Sequence, residues 1–197
     1  SAREAQAIFA LAGPTECDAV WSTTSGFLYE AVAHTPKGRK MTEQIMGPDE
    51  MKLVSSLESS LQSGALAIIF MVSNPGSFVE HARSVLPADM LNGPGAIAIV
   101  SYAPNPLVAF HAAGVDKGIA LQQLCEKLQI SLDETIAFGD GVNDVEILGV
   151  AGCGVAPSNA GEEAKKAADV VLTVSNGEDA VAKALLELQR AGHFCVE

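Results

Sequence analysis

From Gly114 to Leu188 amphipathic helices and short apolar strands alternate, and the first of those strands runs straight into Gly139-Asp140-Gly141. Leu121, Leu124, Cys125 and Leu128 form one helical stripe, read as core packing, and Thr135–Phe138 reads as a strand. A helix over about Asn143–Val150, a strand near Gly154–Ala156 and a helix over Glu162–Ala168 follow. A strand at Val170–Thr173 and a last helix carrying Val181, Leu185 and Leu188 complete the series. Repeated β-α of this kind predicts an α/β fold with a parallel, Rossmann-like sheet covered on both faces.

The chain before Gly114 is patterned differently. Ala5, Ile8, Phe9 and Ala12 have helical spacing, with Gly13-Pro14 as the stop, and a short strand is expected at about Asp18–Trp21. Ser22 to Gly26 reads as a turn. From Phe27 to Ala109 the pattern is less regular, with a helix near Asp49–Leu61, a strand at Ala65–Val72 and a helix near Ser77–Leu86. Strands at Ala96–Ser101 and Leu107–Phe110 close the region. Gly47-Pro48, Asn74-Pro75-Gly76 and Asn92-Gly93-Pro94-Gly95 punctuate it as turns, which suggests a small α+β unit with an open sheet.

Charge and cysteine usage narrow the function classes. Twelve basic against twenty-four acidic side chains give a net charge of −12, which disfavours nucleic acid and anionic membrane surfaces as partners. The longest apolar run, about Ala65–Val72, is too short to cross a bilayer. The opening residues show no basic leader followed by an apolar block, and the four cysteines are scattered without CxxC spacing. Reduced thiols in a cytoplasmic setting are the expectation. Ser22 to Ser25 lack a GxSxG elbow, which argues against a serine hydrolase. The basic run Lys37-Gly38-Arg39-Lys40 reads as a solvated loop, with contact to an anionic substrate as the sharper alternative.

Ligands of an open parallel sheet sit outside the carboxyl ends of its strands, where Asp140 stands. Asp144 follows four residues later, in the first turn of the next helix. Two carboxylates there are hard oxygen donors, suited to Mg²⁺ held with waters and a phosphate. Helix capping would account for one acid but not for the whole Gly-Asp-Gly-x-Asn-Asp cluster. Lys117 opens the helix that bears Leu121, where a cation opposes the helix dipole. Its ammonium is therefore a candidate for neutralising a bound phosphate or a carboxylate.

The strings GVDKG, IAFGDGVNDVEIL and AGCGVAPSNAGEEAKKAADVVLT closely resemble the haloacid dehalogenase (HAD) superfamily, in particular Cof-type sugar-phosphate phosphatases. The resemblance is detailed over about Leu107–Leu188 and looser from Ser1 to Gly26. It implies a Mg²⁺-dependent phosphomonoester hydrolase acting on a small phosphorylated metabolite through an aspartyl-phosphate. Lys117 would be the catalytic, phosphate-binding lysine, Asp140 and Asp144 the metal-side acids, and Asn143 a phosphate contact. Asn159-Ala160 and Lys165 match further family positions, whereas Pro157 and Ala180 depart from the usual Met and Gly. Residues 1–26 and 110–197 would form the core, and 27–109 an inserted α+β cap. The family's nucleophile motif, a DxDGT-like string, and its Ser/Thr motif have no counterpart here. The expectation is therefore a chain that lacks an opening strand-helix-strand, inactive as given. The strands near Ala19–Trp21 and Thr135–Phe138 would then flank the gap. A binding protein without turnover is the alternative. GDGVND also resembles the phosphorylation domain of P-type ATPases, but their string continues with Ala-Pro rather than Val145-Glu146.

Overall fold

The two patterns in the sequence part company between Ala113 and Gly114. The computed structural model describes residues 2–12, 18–23, 26–30, 51–54, 65–102 and 105–192. They divide into two units, Ser1–Ala113 and Gly114–Glu197.

The first unit is a six-stranded sheet with helices. Its strands are β1 (Asp18–Thr23), β2 (Gly26–Glu30), β3 (Met51–Val54), β4 (Ala67–Met71), β5 (Ile97–Ser101) and β6 (Leu107–Ala112). They lie in the order β3-β2-β1-β4-β6-β5. Among the described residues only β2 and β3 run parallel; the other neighbours are antiparallel. Period-two alternation puts Ile68 and Phe70 on one face of β4, and the register sets Phe110 and Val108 directly across from them. Its described helices are α1 (Ala2–Phe9), α2 (Pro75–Val85) and α3 (Ala88–Leu91). Ala5, Ile8 and Leu11 join Phe78, Ala82 and Met90 over that face as a buried core. Phe70 packs edge-on against Phe110 with ring centroids 5.6 Å apart, a geometry favoured by the ring quadrupoles.

Three sequence expectations change here. The strand at Asp18–Thr23, expected in the parallel core with residues 1–26, is a central strand of this sheet, antiparallel to both β2 and β4. Bonded along both edges, it cannot flank a gap in another sheet. β6 is bonded to β4 and β5, so the boundary expected at 110 falls after Ala113. Met51–Val54, expected within a helix, is a strand beside β2 because sheet pairing overrides local helix preference. The rest of Asp49–Leu61 lies outside the described residues, as do Lys37–Lys40 and Gly47-Pro48. Asn74-Pro75-Gly76 opens α2: Asn74 accepts a hydrogen bond from the Ser77 amide, and Pro75 takes the first helical position, where no amide is needed.

The second unit carries a parallel sheet, β7 (Ile136–Phe138), β8 (Cys153–Ala156) and β9 (Val170–Val171), in that order. Around it run α4 (Lys117–Leu128), α5 (Val145–Val150), α6 (Glu162–Ala167) and α7 (Ala180–Arg190). The α/β expectation for this half is met. Gly118 lets α4 close on α5, since a Cβ there would lie 2.8 Å from the Glu146 carbonyl oxygen. That contact decides which face of α4 is buried: Gly118 and Cys125, two turns apart, are covered. Leu124 and Leu128, read as core from their spacing, are instead 52% and 56% exposed. Among the described residues β7 is bonded to β8 alone, and no described helix is long and apolar enough to cross a membrane.

Candidate active site

Parallel strands deliver the loops that follow them to one edge of the sheet. In the second unit those loops carry Asp140 after β7, Asn159 after β8 and Asn176 after β9. Backbone hydrogen bonds join them: the Gly139 amide donates to Val155, the Gly161 amide to Asp140, and the Ser158 amide to Val174.

Asp144 organises the first loop. The chain leaves β7, turns through a short 3-10 segment at Val142–Asp144, and enters α5. The turn folds the Asp144 carboxylate back under the loop, where its Oδ2 accepts the amides of Asp140 and Gly141, each at 3.0 Å. Only glycine fits at 139, because a Cβ there would collide with Asp144, 2.8 Å from its Cγ. The other oxygen, Oδ1, accepts from the Lys117 ammonium at 2.5 Å. Asp144 is 6% exposed, the one buried charged side chain of the described residues. Burial pushes its carboxyl up, but the Lys117 ammonium and the Gly141 and Asp140 amides outweigh it and hold the group below the ordinary carboxylate range.

Lys117 opens α4, whose N-terminus is capped by Asp116 accepting from the Ile119 amide at 2.7 Å. The cap fixes the first turn, and Asp144 fixes the ammonium, which remains half exposed. The Asp140 carboxylate is exposed and receives the Asn176 side-chain amide on Oδ2 at 2.7 Å. Lys117, Asp140, Asp144 and Asn176 thus line one open pocket of about 270 Å³, walled on its apolar side by Phe138, Leu172 and Val181.

The sequence candidates divide accordingly. Lys117, Asp140 and Asp144 share the pocket. Asn143 is not in its wall; its Oδ1 lies over Gly141, where a Cβ would come within 2.7 Å. Lys165 pairs with Glu162 along α6, at 3.3 Å. Asn176 was not singled out in sequence, although its place in the loop after a parallel strand is the signal that finds it.

Among the described residues no three His, Cys, Asp or Glu side chains cluster as a protein-only metal cage. The donor set fits Mg²⁺ nonetheless, because that ion keeps several waters and takes one or two carboxylates with phosphate oxygens. Asp144 already accepts three hydrogen bonds, so Asp140 is the freer carboxylate.

Residues 1–185 match the haloacid dehalogenase-like hydrolase family. The chain belongs to that family. Over 102 residues, 51% of the chain, it is 44% identical to a phosphoglycolate phosphatase of Methanopyrus kandleri, of which it covers 41%. Over 142 residues it is 33% identical to a chloroplastic endoribonuclease of Arabidopsis thaliana, covering 72% of this chain and 23% of that protein. The chain therefore spans less than half the length of either relative. A solved sugar phosphatase of HAD subclass IIB superposes with a TM-score of 0.75 at 21% identity, over 98% of this chain and 68% of that one. The fold is that of this superfamily, in keeping with the Cof-type resemblance.

Proposed function

We propose that this chain supplies the charge-stabilising half of a Mg²⁺-dependent phosphomonoester hydrolase that acts on a small phosphorylated metabolite. The observation that carries the reading is the Lys117 ammonium, clamped by buried Asp144 beside the exposed carboxylate of Asp140 at the ends of three parallel strands. In phosphoryl transfer the protein's main tasks are positioning and stabilising charge on the phosphoryl oxygens. Lys117, fixed by Asp144, would hold one of those oxygens. Asp140 would hold Mg²⁺, which when bound neutralises phosphate charge. Asp144 would act through Lys117 and the loop amides. Attack by an aspartate carboxylate on phosphorus would form an aspartyl-phosphate as the ester P–O bond breaks, and water would then release phosphate. This sequence holds no DxDGT-like string to supply that aspartate. The α+β unit would act as the cap that selects the substrate.

The phosphatase names among the relatives support this reading. The net charge of −12 weighs against extending the endoribonuclease name to this chain. The same Lys117–Asp144 pair beside Asp140 would also suit one further reading, a module that binds metal and phosphate without turnover. Phosphate release from small phosphomonoesters, measured on the whole protein with and without Mg²⁺, separates the two. Hydrolysis that needs Mg²⁺ and is lost in Asp140→Asn supports the enzyme. Mg²⁺-dependent phosphate binding without release supports the module, and hydrolysis that survives Asp140→Asn refutes the role given to Asp140.

A further inference from the structure

The Asp140 carboxylate is held on one oxygen only. Its Oδ2 accepts from Asn176 Nδ2 at 2.7 Å, and no donor among the described residues stands on Oδ1. Asn176 is itself held twice by Asn159: its backbone amide donates to Asn159 Oδ1 at 2.9 Å, and its Oδ1 accepts from Asn159 Nδ2, also at 2.9 Å. This reciprocal pair fixes which way the Asn176 amide faces. A flipped Asn176 would set two donors against each other at Asn159 and an oxygen against the Asp140 carboxylate. The turn below is braced as well, with Ser175 donating through its amide and hydroxyl to Glu178.

Loop anchoring alone does not require this relay. The three loops are already joined through the Gly139, Gly161 and Ser158 amides. What the relay adds is direction at a single carboxylate oxygen. We propose that Asn176, braced by Asn159, is a positioning residue that occupies Oδ2 of Asp140 and so reserves Oδ1 for a divalent cation. The proposal rests on the reading of Asp140 as the cation's carboxylate. Partners that orient a metal-binding side chain in this way are worth about 10- to 100-fold in metal affinity.

The test is calorimetric titration of Mn²⁺, as the probe cation, into the whole protein and its variants, with thermal unfolding recorded alongside. Asn176→Ala is expected to weaken binding about tenfold at an unchanged unfolding midpoint, and Asn159→Ala to weaken it less. Because Asn159 acts through Asn176, the double variant is expected to bind no more weakly than Asn176→Ala. Wild-type affinity in Asn176→Ala, with binding lost in Asp140→Asn, overturns the positioning role and leaves the site reading standing. Wild-type affinity in Asp140→Asn overturns the site reading itself. Two losses that multiply in the double variant overturn the relay, and affinity losses that track lowered unfolding midpoints reduce the pair to a loop clamp.

Discussion

Removing the Asp144 carboxylate should cost stability in a pH-dependent way. The group accepts from one ammonium and two backbone amides while nearly buried. A hydrogen bond to a charged group is worth about 1.5–3 kcal/mol net. The Lys117 ammonium is half exposed and regains water when released, so its share is nearer the ~0–1 kcal/mol of surface pairs. The two amides are partly buried and recover only part of their loss. Asp144→Ala should therefore destabilise the second unit by about 2–4 kcal/mol. Asp144→Asn, which keeps an acceptor oxygen for the amides but turns away from Lys117 in charge, should cost about 1–2 kcal/mol. The folded carboxyl titrates below its ordinary value of 3.8. Its stabilisation is thus complete well above that value and disappears as pH falls through the lower folded one. The gap between wild type and Asp144→Asn should be full at pH 7 and close in acid as the carboxyl protonates below its ordinary value. Urea unfolding followed by far-ultraviolet circular dichroism is the assay, because Trp21, the one tryptophan, belongs to the other unit. Equal stability of Asp144→Ala and wild type at pH 7, or a gap that persists unchanged in acid, would refute the reasoning.

Gly139→Ala should destabilise the same unit by about 1–3 kcal/mol and weaken Mn²⁺ binding, because its Cβ displaces Asp144 and the loop above it; calorimetry and unfolding together check this. Phe70→Ala empties the centre of the aromatic cluster in the first unit and should cost about 3–5 kcal/mol, read from Trp21 fluorescence during urea unfolding.

Much of the second unit was legible because each of its elements is local. Thr135–Phe138 is apolar and ends in a glycine turn, and a parallel strand's carboxyl end is a ligand edge in any such sheet. Asp140 was visible for the same reason, and Lys117 because a cation in the first turn of a helix opposes its dipole. The division of labour between the acids was not, since it depends on where the Val142–Asp144 turn sends one side chain. Helical spacing marked Leu124 and Leu128 as apolar, but only the approach of α5 at Gly118 decides which face of α4 is covered. Asp18–Thr23 was misplaced because strand spacing says nothing about partners. Its register with Ala67–Met71 joins residues far apart in the chain. The one signal Asn176 carries is its loop after a parallel strand; its pairing with Asn159, seventeen residues earlier, cannot be read from spacing.

Anomalous diffraction from crystals of the protein grown with Mn²⁺ tests the division between the two carboxylates most directly. A peak bonded to Asp140 Oδ1 is expected, with Asp144 still paired to Lys117. A peak bonded to Asp144 with Lys117 displaced, or a metal bound elsewhere while Asp140 stays bare, would contradict it.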